Sequence, residues 1–227
     1  MAKNDLKGKT VGWIGTGRMG YAMAERLLKA GAELSAWNRT KSKAEPLAEL
    51  GATIVDSPAE LADRDIVFTM VAGPADFVEV AKGENGVLSQ GGQTPGLLVD
   101  CTTISEEASH EVREFATSVG TSMLDAPVSG NAKVVKAGKL SIVASGAKDA
   151  YDEALPYLES IAQGVSYVGE GELARMVKIC HNVFLGVVIQ SLAEITVLAE
   201  KGGVPRHAFM DFINKSAVGS MFSAYKT

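Results

Sequence analysis

The sequence predicts an α/β fold: a doubly wound, mostly parallel sheet, followed by a long helix and the start of an all-α region. Three observations carry that reading. Val11-Gly-Trp-Ile-Gly-Thr-Gly-Arg-Met-Gly20 reads as a buried strand entering a glycine-rich turn and then a helix. Strand-like and helix-like runs alternate from there to about residue 160, the pattern of a sheet wound on both faces. Residues 172–201 then form one long apolar stretch, closed by Gly202, Gly203 and Pro205.

Thr10 to Ile14 is apolar and partly β-branched, as a buried parallel strand requires. Gly15, Gly17 and Gly20 give the spacing G-x-G-x-x-G. The first permits a tight turn, the second lets a pyrophosphate approach the backbone, and the third lets the helix pack close to the strand. Tyr21 to Lys29 has helical spacing and good helix formers, ended by Gly31, and Ala32 to Trp37 reads as a second strand. Strand, glycine turn, helix and strand make one βαβ unit, the context in which this motif signals a dinucleotide site. The second strand ends in Asn38-Arg39-Thr40, where an NAD site usually places Asp or Glu to hold the ribose hydroxyls. A neutral Asn followed by an Arg, whose guanidinium can grip a phosphate, favours NADP(H) over NAD(H).

The alternation continues with a helix from Lys41 to Gly51, interrupted by Pro46, then a strand at Ala52 to Val55. A short helix at Ser57 to Ala62 has Ser57 as its cap and Pro58 at its first position. A strand at Ile66 to Val71 leads into Ala72-Gly73-Pro74, a turn at a strand's carboxyl end, where open parallel sheets bind ligands. A helix at Asp76 to Lys82, a Gly- and Gln-rich loop and a strand at Gly96 to Asp100 come next, and Cys101-Thr102-Thr103 leaves at the same edge. Helix, strand and helix follow at Glu106 to Ser118, Ser122 to Leu124 and Asp149 to Ser160.

Two further stretches carry candidate chemistry. In Asp125-Ala-Pro-Val-Ser-Gly-Asn131 a strand ends at Pro127, and Ser129 and Gly130 can offer a hydroxyl and backbone N–H groups to a carboxylate, or simply form a polar turn. Residues 172–201 are apolar nearly all round, which predicts a helix buried on most sides and about 45 Å long. Lys178, His181 and Asn182 fall at i, i+3 and i+4, on one face. A lysine there would face a wet cleft or a partner, and desolvation would lower its pKa toward proton exchange near neutrality. The plainer alternative is that Lys178 reaches outward to water while His181 and Asn182 satisfy backbone groups.

Composition narrows the field. The chain has 227 residues, a 46% hydrophobic and 22% charged content and a net charge of −5, those of a soluble globular protein with a sizeable core. No basic patch asks for nucleic acid. The first residues lack the apolar core of a signal peptide, and no apolar run is expected to span a membrane. Cys101 and Cys180 lie outside any C-x-x-C or zinc spacing, so no metal is expected and reduced thiols in a cytoplasmic protein are. His110 and His207 read as surface or loop residues.

Four separated motifs, GWIGTGRMG with its helix, NRT after the second strand, DAPVSG, and K-x-x-x-N at Lys178 and Asn182, together resemble the β-hydroxyacid dehydrogenases. That group includes 3-hydroxyisobutyrate dehydrogenase, tartronate semialdehyde reductase and the glyoxylate and succinic semialdehyde reductases. The resemblance implies a Rossmann-like NADP-binding domain at residues 1–170, with an inter-domain helix and part of an all-α, oligomer-forming domain at 171–227. It implies hydride transfer between the nicotinamide and a small β-hydroxy acid or its semialdehyde or keto form. Lys178 would be the general acid/base, Ser129 and Gly130 would hold the substrate carboxylate with Asn131 beside them in the substrate site, and Asn182, with His181 beside it, would orient the reacting group. Gly15, Thr16, Gly17, Arg18, Met19 and Gly20 would contact the pyrophosphate. Asn38, Arg39 and Thr40 would contact the 2′-phosphate, and Val71, Ala72 and Thr103 would line the cofactor's path.

This chain departs from the family at several points. Asn131 stands where members often carry a second glycine, which narrows the turn or adds a hydrogen bond to a larger substrate. Lys-Ile-Cys-His-Asn also resembles the K-x-x-H-N of 6-phosphogluconate dehydrogenase, but Leu185 stands where that enzyme has a second acid, which argues against decarboxylation and a sugar phosphate. The family's later helices, including a Lys-Asp pair closing over the nicotinamide, have no counterpart here, as in a truncated chain or a half-open site. An imine reductase-like enzyme and a nucleotide-binding scaffold without turnover are the alternatives; Lys178 argues against the first.

Overall fold

The computed structural model describes residues 6, 8–220, 223 and 224. Its first layer is a six-stranded sheet in the order β3-β2-β1-β4-β5-β6, parallel throughout. These strands are β1 (Thr10–Ile14), β2 (Glu33–Trp37), β3 (Thr53–Ile54), β4 (Ile66–Thr69), β5 (Leu97–Asp100) and β6 (Ser122–Asp125). The order reverses at β1, between β2 and β4, which places a crevice at the carboxyl ends of those strands.

Side-chain alternation along β1 builds a core on each face. Trp13, Phe68 and Leu124 pack with Met23 and Leu27 of α1 (Arg18–Lys29) and Tyr157 and Leu158 of α5 (Lys148–Ile161). On the other face Ile14, Val67 and Leu98 pack with Phe77 of α2 (Pro74–Lys82) and Val112 of α3 (Glu106–Ser118). Ser105 caps α3 by accepting from Ala108 N–H, and Glu106 and Glu107 favour the positive end of its dipole.

Several expectations need correction. The helix expected over 41–51 is two 3-10 segments, Lys41–Lys43 and Glu45–Leu50, because Pro46 can occupy only a first turn and begins a new one. The short helix after Ser57 is also 3-10, at Pro58–Leu61; Ser57 does not cap it but donates its hydroxyl to Glu60, which in turn accepts from Asp56 N–H. A second, three-stranded sheet was not foreseen: β7 (Val128–Ser129) pairs antiparallel with β8 (Leu140–Ala144), which pairs parallel with β9 (Ala162–Tyr167). The short α4 (Ala132–Lys136) connects β7 to β8.

The long helix α6 runs Leu173–Lys201, followed by α7 (Arg206–Lys215). The chain divides into two compact units within α6, after Lys178. The expected burial of α6 is not seen in this chain. Val183, Phe184 and Leu198 are 63%, 69% and 70% exposed, and only Ala174, Arg175, Lys178 and Thr196 on this helix are buried. The membrane expectation changes with it. Residues 179–193 carry no Asp, Glu, Lys or Arg, and an 18-residue window of α6 has a mean hydropathy of 1.7, so the helix is long and apolar enough to cross a membrane by length and composition. Thr196, in the second unit, packs on Met210 of α7, its hydroxyl 3.8 Å from the sulfur.

Candidate functional site

The glycine turn is fixed by the strand it leaves. Gly15 has φ +97°, a conformation side chains disfavour, and its N–H donates to Trp37 O at the end of β2. Trp13 Nε1 donates to the Gly15 carbonyl at 2.9 Å. A Cβ at Gly20 would stand 1.9 Å from that same oxygen, so the third glycine is required by the turn itself as well as by helix packing. A Cβ at Gly17 would meet nothing within 4 Å. No side chain caps α1, so its first N–H groups face the space that Gly17 leaves open.

A cleft of about 500 Å³ lies over this turn. It gathers nearly all of the expected nucleotide residues: Gly15, Gly17, Arg18, Met19, Gly20, Asn38, Arg39, Thr40, Val71 and Ala72. Two expected members stand outside its lining. Thr16 is buried, with its N–H donated to Asn38 Oδ1 at 2.8 Å, and Thr103 is exposed beyond β5. Asn38 also donates to Thr40 O at 2.9 Å, which fixes the amide whose Oδ1 ties the glycine turn to the end of β2. The cleft adds charged residues that sequence spacing did not reveal, Lys43, Asp76 and Glu79, and Arg39 donates to Asp76 Oδ1 at 2.8 Å.

The expected substrate turn follows β6. Ser129 is half-buried in β7, and Gly130 has φ +146° with Val134 and Leu140 within 3.0 Å of where a Cβ would stand. Asn131, expected to narrow the turn or add a hydrogen bond to a larger substrate, caps α4, its Oδ1 accepting from Val134 N–H at 3.1 Å. Lys178 is buried, without a carboxylate partner among the described residues, and burial lowers its pKa from the ordinary 10.5. His181 Nδ1 lies 3.4 Å from Asn182 Oδ1, and both side chains are exposed.

The residue that sequence reading missed is Arg175, 1% exposed and one turn before Lys178. Its Nη2 donates to Asp100 Oδ2 at 2.6 Å and to Asp125 Oδ1 at 2.8 Å, and its Nη1 to Thr102 O. Asp100 and Asp125 are register partners at the carboxyl ends of β5 and β6. Arg113 from α3 lies 2.9 Å from Asp125 Oδ2, and Thr69 and Ser109 donate hydroxyls to the two carboxylates. Burial pushes the Asp125 carboxyl up, partly offset by the two guanidiniums. The pair pins the first turn of α6 to the sheet's carboxyl edge. Lys178 leaves it three residues after Arg175, and Ser129 four residues after Asp125. Two strands ending in Asp, LLVD and SMLD, were the available signal; the arginine lay 50 and 75 residues away.

Comparison with known proteins agrees with this architecture. Residues 10–169 match the family model described as the NAD binding domain of 6-phosphogluconate dehydrogenase. The chain belongs to the β-hydroxyacid dehydrogenase family. Glyoxylate/succinic semialdehyde reductase 2, chloroplastic, of Arabidopsis thaliana is 32% identical over 99% of this chain, which spans 63% of that protein's length. The 3-hydroxyisobutyrate dehydrogenase of Pseudomonas aeruginosa is 30% identical over 92% of this chain and 70% of its own length. Among solved structures, Mycobacterium tuberculosis 3-hydroxyisobutyrate dehydrogenase with L-serine has a TM-score of 0.85 at 30% identity, covering 96% of this chain and 73% of that one.

Proposed function

We propose that this chain carries the nucleotide half of an NADP(H)-dependent oxidoreductase acting on a small β-hydroxy acid or its semialdehyde or keto form. The observation that carries this is the cleft itself: an uncapped helix end, an open Gly17 and the Arg39 guanidinium line one crevice at the strand-order reversal. Family membership and the relatives' names support the substrate class, and the L-serine of the mycobacterial structure is itself a β-hydroxy acid.

When bound, the nicotinamide supplies or accepts the hydride. The N–H groups of Gly17, Arg18 and Met19 hold the pyrophosphate, Arg39 grips a 2′-phosphate and Thr40 flanks it. The Ser129 hydroxyl and Gly130 N–H hold the substrate carboxylate. Lys178 Nζ takes the proton from the substrate hydroxyl in oxidation and returns it to the carbonyl oxygen in reduction. Burial lowers its pKa and so favours the neutral amine, which supports that role. Asn182 and His181 keep an orienting role on helical spacing alone, and assembly into homo-oligomers is part of the same proposal.

Fluorescence titration with NADPH and NADH, beside Arg39→Ala, tests the reading. Micromolar NADPH binding, lost in the variant and much weaker for NADH, supports it and justifies screening hydroxy acids with Lys178→Ala as the inactive control. Binding of neither nucleotide refutes it.

A further inference from the structure

The Arg39–Asp76 contact bears on nucleotide choice. An NAD site usually carries its acid at the end of the second strand; here that place is neutral, at Asn38, and an acid reaches the same end of the cleft from the first turn of α2. Asp76 Oδ1 accepts from Arg39 Nη1 at 2.8 Å, with the arginine 79% and the aspartate 33% exposed. The pair therefore occupies the guanidinium that a 2′-phosphate would take. Lys43 and Arg18 line the cleft without an ion pair among the described residues, so Asp76 engages Arg39 selectively among the available cations.

We propose that Asp76 is a nucleotide-selectivity residue, a built-in competitor for Arg39 that lowers preference for the 2′-phosphorylated cofactor. This rests on the nucleotide-binding reading given above. A phosphate must displace the carboxylate from Arg39 and then sit within a few ångströms of it, and both effects act against NADP(H) alone. A ribose carrying a free 2′-hydroxyl brings no negative charge against that carboxylate and can donate to it. Asp76 thus does from α2 part of what an acid at the end of β2 does elsewhere.

The test uses the whole chain and two fragments that report only the adenosine end, 2′,5′-ADP and 5′-AMP, beside NADPH and NADH. Asp76→Asn is expected to tighten 2′,5′-ADP and NADPH roughly three- to tenfold at low salt, with the gain shrinking as salt rises. Binding of 5′-AMP and NADH is expected to stay the same or weaken. Two further variants separate pairing from general charge. Glu79→Gln removes another carboxylate lining the cleft and should give a smaller gain, and Asp76→Asn in an Arg39→Ala background should give none. An unchanged NADPH-to-NADH ratio in Asp76→Asn, or an equal gain from Glu79→Gln, overturns the assignment while leaving the nucleotide site standing. If the unaltered chain binds neither nucleotide nor either fragment, both this inference and the reading beneath it fail.

Discussion

Replacing Arg175 with Met tests whether the ion cluster under α6 holds the fold together. The cluster contains two carboxylates, Asp100 and Asp125, both fully buried, and two guanidiniums, Arg175 and Arg113. The substitution makes the cluster more negative by one charge and leaves Asp100 without a guanidinium partner among the described residues. Removing one partner of a buried pair leaves an uncompensated charge and costs about 3–5 kcal/mol. With a urea slope of about 2 kcal/mol/M, the unfolding midpoint of the first unit should fall by roughly 1.5–2.5 M. The pH dependence separates a charge effect from lost packing. Burial already raises the Asp125 carboxyl, and Arg175 is the strongest influence opposing that rise, so the substitution raises it further. A carboxyl whose folded-state pKa exceeds its unfolded value favours the fold at low pH, and that contribution is lost as pH rises through the folded pKa. Arg175→Met should therefore be closer to the native chain at pH 5 than at pH 8, and Asp125→Asn added to it should recover part of the loss. Urea melts followed by circular dichroism at both pH values measure this. A midpoint shift under 0.5 M, or a larger deficit at pH 5 than at pH 8, would refute the account.

Three other outcomes are expected. Gly17→Ala, whose new methyl meets nothing, should leave the melting temperature nearly unchanged while weakening NADPH at least tenfold. Gly20→Ala, whose methyl would stand 1.9 Å from the Gly15 carbonyl, should destabilise the first unit by about 3 kcal/mol or more, read by the same urea melts. If turnover is found, kcat/KM for oxidation should rise with pH along a limb below 10.5, because burial favours the neutral Lys178 amine, and for reduction it should fall; a limb at or above 10.5 would remove Lys178 as the base.

What the sequence reveals and what it hides divide along a physical line. The parallel sheet, the glycine turn and α3 are specified by neighbours within a few residues: β-branched apolar runs, positive-φ glycines, and Ser105 followed by Glu106 and Glu107. The sheet of β7, β8 and β9 has no such signature, since Ala162–Tyr167 is a largely exposed AQGVSY whose strand state is dictated by pairing with β8. The exposure of α6 is hidden from the sequence for a related reason. An apolar helix states that it wants cover, and in this chain only its first turns, and Thr196 beneath α7, receive it.

The same division runs through the candidate site and explains where its new residues came from. Glycine and arginine motifs located the cleft because their chemistry is local, and the structure gathers ten of the residues expected there into its lining. Arg175 and Asp76 could not be found that way, since each matters through a partner, 50 and 75 residues distant for the first and 37 for the second. Both are charges that a linear reading assigns to solvent. Buried against two strand ends, Arg175 fixes where Lys178 begins; resting on Arg39, Asp76 adjusts what that arginine can hold. Position in the chain supplies the groups that do chemistry, and the register of the parallel sheet, which pairs Asp100 with Asp125, sets the frame in which they act.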